Sequence, residues 1–206
     1  KKATRSDSDF CSYFGSVNPD FYVVRVCPYC GFSSTENFAE RLNDAQKRAY
    51  LDKIGNQWQT RDYGGPRTEQ EAMECYKLAL VSAQAVREKE RIVAGLLQHI
   101  AWLYRYRNDV EQEKRFLKFA LESYIRVFET ERDSIRNARL MYLIGELHRR
   151  LGNFHEAVRW FSRVIHDRSI VDGAMIRASR EMWTAIREEM TGRGMDLPEE
   201  MQRNGA

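Results

Sequence analysis

No apolar run in this 206-residue chain approaches the roughly 18–20 residues a membrane-spanning helix requires, and no secretory signal peptide is present. With these absences the expectation is a cytoplasmic protein that does not span a membrane. Net charge is scarce too. At +3 it is too small to argue for a membrane surface or a nucleic acid as partner, because phosphate binding usually needs a basic stripe. There is no glycine-rich phosphate loop, no HExxH and no GxSxG. Glu146, Glu156 and Asp167 are scattered helix carboxylates and form no acid–base pair. Cysteine is limited to four residues. Without a secretory signal they belong in a reducing cytosol, where paired cysteines bind metal or carry out redox work. A start at Lys1 rather than methionine is read as the mark of a fragment or a processed form.

What is present is ordinary for a soluble globular protein: 31% charged and 43% hydrophobic residues. The strongest pattern runs from Ala138 to Ile165. Leu140, Leu143, Ile144, Leu147 and Leu151 recur at helical spacing, and after Gly152-Asn153 so do Phe154, Ala157, Val158, Phe161, Val164 and Ile165. Gly152 suits the left-handed position that ends a helix, so the two apolar faces close into a hairpin. With Gly145, Gly152, Phe154, Ala157 and Phe161 at matching positions, this hairpin resembles a tetratricopeptide repeat.

Residues 1–19 lack a period, and Asp20 to Val26 reads as a strand. Ser34 or Thr35 is expected to cap a helix carrying Phe38, Leu42, Ala45 and Ala49 that stops near Gly55. Gly64-Gly65-Pro66 breaks the chain, and Thr68 with Glu71 forms a capping box for the next helix. Further helices are expected over Ile92 to Arg107, Val110 to Glu131 and Asp172 to Met190, the last capping the stack. The fold class is therefore mostly α: tetratricopeptide-like hairpin repeats with a small N-terminal zinc-ribbon-like segment containing a short strand. The domains are residues 1–34 (partial zinc-ribbon-like segment), 35–191 (helical domain) and 192–206 (flexible tail).

The chemistry-bearing motif is Cys27-Pro28-Tyr29-Cys30-Gly31. In a zinc knuckle both thiolates face one ion, and Gly31 allows the turn that aims backbone N–H groups at the sulfurs. CPYC is also the tetrad of glutaredoxins, with Cys27 as nucleophile and Cys30 resolving. The helical remainder of the chain offers no sheet for that fold, which favours structural zinc, with this fragment expected to be short of the other ligands and able to leave the site empty. Cys11 is the best third ligand, and Cys75 reads as a core thiol. His99, His148, His155 and His166 read as surface or packing residues.

The order DFCSYF at Asp9 to Phe14, VCPYCGF, AWLYR at Ala101 to Arg105, and YLIGELHRRLGNFHEAVRWFSRVI resembles the bacterial family called domain of unknown function 2225. Glu113, Phe116, Leu117, Ala120, Leu121 and Tyr124 extend the likeness. Family members usually carry a further CxxC near their start. The resemblance thus implies that the missing zinc ligands lie in a lost first half.

The functional reading is a non-enzymatic protein-interaction module. Its rivals are a thiol-disulfide oxidoreductase and a zinc-ribbon nucleic-acid binder, the latter weakened by the low charge. In a tetratricopeptide stack the first helix of each hairpin lines a groove. That face carries Gln98, Trp102 and Arg105 on one helix, and Arg139, Tyr142, Glu146 and Arg149 on another. Aromatic platforms with guanidinium forks suit an acidic or carboxylate-ended peptide as partner.

Overall fold

Short polar signals set most of the helix ends in the computed structural model, which describes residues 2–131 and 137–202. Residues 1–123 and 124–206 form two compact units. In the first, β1 (Arg5–Ser6) pairs antiparallel with β2 (Ser12–Tyr13), so part of the stretch expected to be irregular is a hairpin. The strand expected over Asp20 to Val26 is shorter. Asn18 accepts the Asp20 N–H and Pro19 presets the backbone, so Pro19–Tyr22 winds into a 3-10 turn. Only β3 (Arg25–Val26) remains extended, and it pairs antiparallel with β4 (Ser33–Ser34).

Ser33 and Ser34 being strand, the first helix starts later than Ser34 or Thr35 would have placed it. Asn43 caps α1 (Asp44–Lys53) in a reciprocal box with Gln46. The Thr68–Glu71 box opens α2 (Glu69–Val86) as its spacing predicts. Arg87, at φ 54°, turns the chain into α3 (Glu90–Tyr106). Asn108, at φ 56°, turns it again into α4 (Val110–Thr130), which runs from the first unit into the second.

The core of the first unit lies between α2 and α3, where Ala72, Tyr76, Ala79 and Ala83 meet Leu96, Ile100 and Leu103. Val24, Phe38 and Tyr63 close it from the loops. The buried Tyr76 hydroxyl reaches a partner by donating to the Asp20 carbonyl at 2.9 Å. A smaller cluster of Tyr50, Ala85 and Val86, with Cys30, Phe32 and Leu42 against it, seats the cysteine motif on α1 and α2.

The second unit is built on α5 (Ala138–Arg150) and α6 (Phe154–His166), with Gly152 at φ 82° between them. A Cβ on Gly145 would stand 2.9 Å from the ring of Phe161, which is fully buried. The hairpin therefore closes only because that position has no side chain. Helix α7 (Gly173–Gly192), whose N-terminus Asp172 caps, packs on α5 and α6. Beyond it, where a tail was expected, Glu199–Gln202 forms a short helix, α8, with Met201 buried. Residues 203–206 of that expected tail lie outside the described residues. Among the described residues the architecture is mostly helical with two small strand pairs, and no helix is long and apolar enough to cross a membrane.

Candidate functional site

Cys27 and Cys30 stand in the turn that joins β3 to β4. The Cys27 N–H donates to the Phe32 carbonyl at 2.9 Å, and the Gly31 N–H donates to the Cys27 carbonyl at 2.8 Å. Gly31 sits at φ 71° with the Trp58 indole against its Cα, where a Cβ would fall 2.3 Å from the ring. Both the backbone angle and the space require glycine. Two further bonds clamp the turn: the Trp58 Nε1–H donates to the Pro28 carbonyl at 2.8 Å, and the Tyr50 hydroxyl donates to the Cys30 carbonyl at 2.9 Å. Tyr29, at the tip, is 86% exposed.

The two sulfurs are electrostatically unequal. Backbone N–H groups of Cys30 and, more weakly, Tyr29 point at Cys27 and lower its thiol pKa. Burial raises that of Cys30, against a hydrogen bond from the Phe32 N–H. The amides on Cys27 favour its thiolate, the form in which cysteine binds metal or attacks a disulfide, while burial favours the thiol at Cys30.

The other cysteines stand elsewhere. Cys11 is fully buried, 3.5 Å from the Tyr106 hydroxyl, and burial pushes its thiol up to about 11. Cys75 lies in the α2–α3 core, likewise pushed up to about 11 by burial. His99 is stacked on Tyr76 and tilted against Trp102. His148 is buried, whereas His155 and His166 are exposed. Among the described residues no group of three or more His, Cys, Asp or Glu is placed to hold a metal ion. Among the described residues Cys27 and Cys30 therefore stand as a pair, with no third His, Cys, Asp or Glu grouped with them.

The face of α3 singled out in the sequence is covered by the chain itself, so Gln98, Trp102 and Arg105 do not line an open groove there. The turn of the β1–β2 hairpin lies on it. Asp9 is fully buried, and Arg105 grips its carboxylate with Nη2 at 2.6 Å and Nη1 at 2.9 Å. The Trp102 Nε1–H donates to the same carboxylate at 3.0 Å, and the Gln98 amide donates to the Asp9 carbonyl at 3.0 Å. Arg105 also holds Asp7 and Glu113, each at 2.8 Å. Burial alone would lower the Arg105 pKa, but its bonds and attraction to Asp9 and Glu113 outweigh that and raise it. The aspartate that these three side chains recognise belongs to the same chain. Sequence reasoning assigned Gln98, Trp102 and Arg105 to an external partner and missed Asp7, Asp9 and Tyr106, whose roles depend on contacts spanning more than 90 residues.

On α5, Tyr142 and Glu146 are buried rather than presented on an open face, while Arg139 is exposed. Arg149 and Arg150 both chelate the Glu146 carboxylate, with Nε at 2.7 and 2.8 Å. This satisfies a buried charge locally. The expected guanidinium fork at Arg149 is therefore already engaged by a carboxylate.

Residues 1–186 match the model of a family described as "Uncharacterized protein conserved in bacteria (DUF2225)". No curated protein and no solved structure matches the chain.

Proposed function

For a chain that belongs to this bacterial family, we propose a non-enzymatic, cytoplasmic protein-interaction module whose Cys27–Cys30 knuckle holds a structural zinc ion. The observation that carries this reading is the β3–β4 turn, with amides of Tyr29 and Cys30 on one sulfur and of Phe32 on the other. Cys27 and Cys30 would supply two thiolates, and the remaining ligands come from beyond the described residues. Zinc bound there would cross-link the turn to whatever carries those ligands; Trp58 and Tyr50 hold the two cysteines ready for it.

The thiol-disulfide alternative fits less well. A redox CxxC draws its reactivity from the N-terminus of a helix, whereas the next helix after Cys30 begins at Asp44. The α5–α6 hairpin, with Gly145 against Phe161, supports a tetratricopeptide-like body, and such bodies serve as interaction scaffolds.

Elemental analysis of the full-length protein decides the matter. About one zinc per chain, lost in Cys27→Ser and in Cys30→Ser, is the expected result. Metal-free protein that reduces a disulfide substrate through Cys27 would establish the oxidoreductase instead.

A further inference from the structure

A cleft of about 580 Å³ opens in the first unit between the β1–β2 hairpin, the Pro19–Tyr22 turn and the start of α2. Ligand pockets span roughly 300–1,000 Å³, so the cleft has room for a small organic molecule. Five aromatic residues, Tyr13, Phe14, Phe21, Tyr22 and Tyr106, stand in its lining. Val17, also in the lining, is 50% exposed, so the mouth keeps apolar surface in contact with solvent.

Three arginines, Arg67, Arg5 and Arg105, stand on these walls. Arg67 donates from Nε to the Tyr63 carbonyl at 2.8 Å and from Nη1 to the carbonyls of Phe21 and Val24 at 2.9 and 2.7 Å. Its guanidinium lies over the Tyr22 ring, 5.8 Å from the centroid. Among the described residues it has no carboxylate partner, and its Nη2 has no hydrogen-bond acceptor. The guanidinium is thus fixed in place by neutral carbonyls, attracted by the nearby Glu71 carboxylate but not paired with it. Arg5 is the second cation, held 4.0 Å above the Tyr13 ring and 3.6 Å from Asp7. The charge of Arg105, also in the lining, is consumed by Asp7, Asp9 and Glu113. The lining carboxylate, Glu69, faces Arg107 at 3.8 Å.

We propose that this cleft binds a small organic anion: an aromatic body between the tyrosine and phenylalanine walls, with its carboxylate or phosphate on Arg67 and Arg5. A fixed guanidinium with no paired carboxylate, beside stacking surfaces, selects for a negative group on a flat apolar frame. The site is separate from the cysteine knuckle and does not depend on zinc.

Phenyl phosphate and benzoate, with benzyl alcohol as the neutral comparison, are the probes to titrate into the full chain by isothermal calorimetry and ligand-observed NMR. Both anions bind at least fivefold more tightly than benzyl alcohol if the site is as described. Arg67→Gln and Arg5→Gln then each weaken the anions at least fivefold, and Val17→Trp, which fills the mouth, abolishes binding. Arg67 also ties three loop carbonyls; if its variant misfolds, Arg5→Gln and Val17→Trp decide, since both positions are exposed. No binding of either anion, equal binding of the alcohol, or anion binding unchanged in Arg5→Gln and Val17→Trp overturns the proposal.

Discussion

At the residue scale the dominant object is Asp9. A carboxylate removed completely from water is tolerated because Arg105, Trp102 and the Cys11 N–H all donate to it. Truncating one member of a buried ion pair typically costs about 3–5 kcal/mol. Asp9→Ala belongs at the lower end, near about 3 kcal/mol, because Arg105 keeps Asp7 and Glu113. Urea denaturation measures it; a change below about 0.5 kcal/mol, the scale of an ordinary surface substitution, would show that the hairpin contributes nothing to stability.

Two histidines set a pH dependence. Burial lowers the pKa of both His99 and His148, offset in part by the Gly95 carbonyl and then Asp20 at His99 and by Glu156 at His148. The unfolded chain therefore binds more protons than the folded one just below the ordinary histidine pKa of about 6.5. Their contribution to stability is full above that pH and is lost as pH falls through the lowered native values. His148→Gln should flatten this acid-side loss in denaturation curves recorded from pH 7 to 5. An unchanged slope would show that His148 protonates equally well folded and unfolded.

At the element scale, the Gly145–Phe161 contact is the most sharply testable. Phe161 is fully buried, so it has little freedom to yield to a new side chain. Gly145→Leu overpacks the hairpin and should destabilise the second unit by about 1–3 kcal/mol or more, read as a lowered melting temperature. A variant that melts with wild type would mean that α5 and α6 do not meet there.

The same hairpin shows what sequence makes legible. Its helical period, the Gly152 turn and the Thr68–Glu71 box are local, and each could be read within a few residues. The mislocated start of α1 and the missed β1–β2 hairpin share another cause. Strands of two residues carry no alternation to read, and a serine or threonine cap signal is cancelled when its residues enter a strand. The cover over α3 was illegible for a third reason: Trp102 and Arg105 look alike in sequence whether they face solvent or the chain's own Asp9.

At the scale of the whole molecule, two thiolates are half of what zinc requires. If the proposed knuckle takes its other ligands from another polypeptide segment, two copies of this 206-residue chain can complete a four-thiolate site between them. Zinc added to the reduced chain should then bind at about half an equivalent, and sedimentation velocity should report a dimer that EDTA dissolves. A full equivalent on a chain of unchanged mass would place the remaining ligands within the chain. The buried aspartate has a consequence of another kind, in time rather than in space. Asp9 and Arg105 are separated by 96 positions. A ribosome adding about 5–20 residues per second makes the carboxylate some 5–20 s before the guanidinium that will neutralise it. During that interval the β1–β2 hairpin has no surface to lie on, so a stretch translated before α3 is ordered only after α3 has emerged and folded.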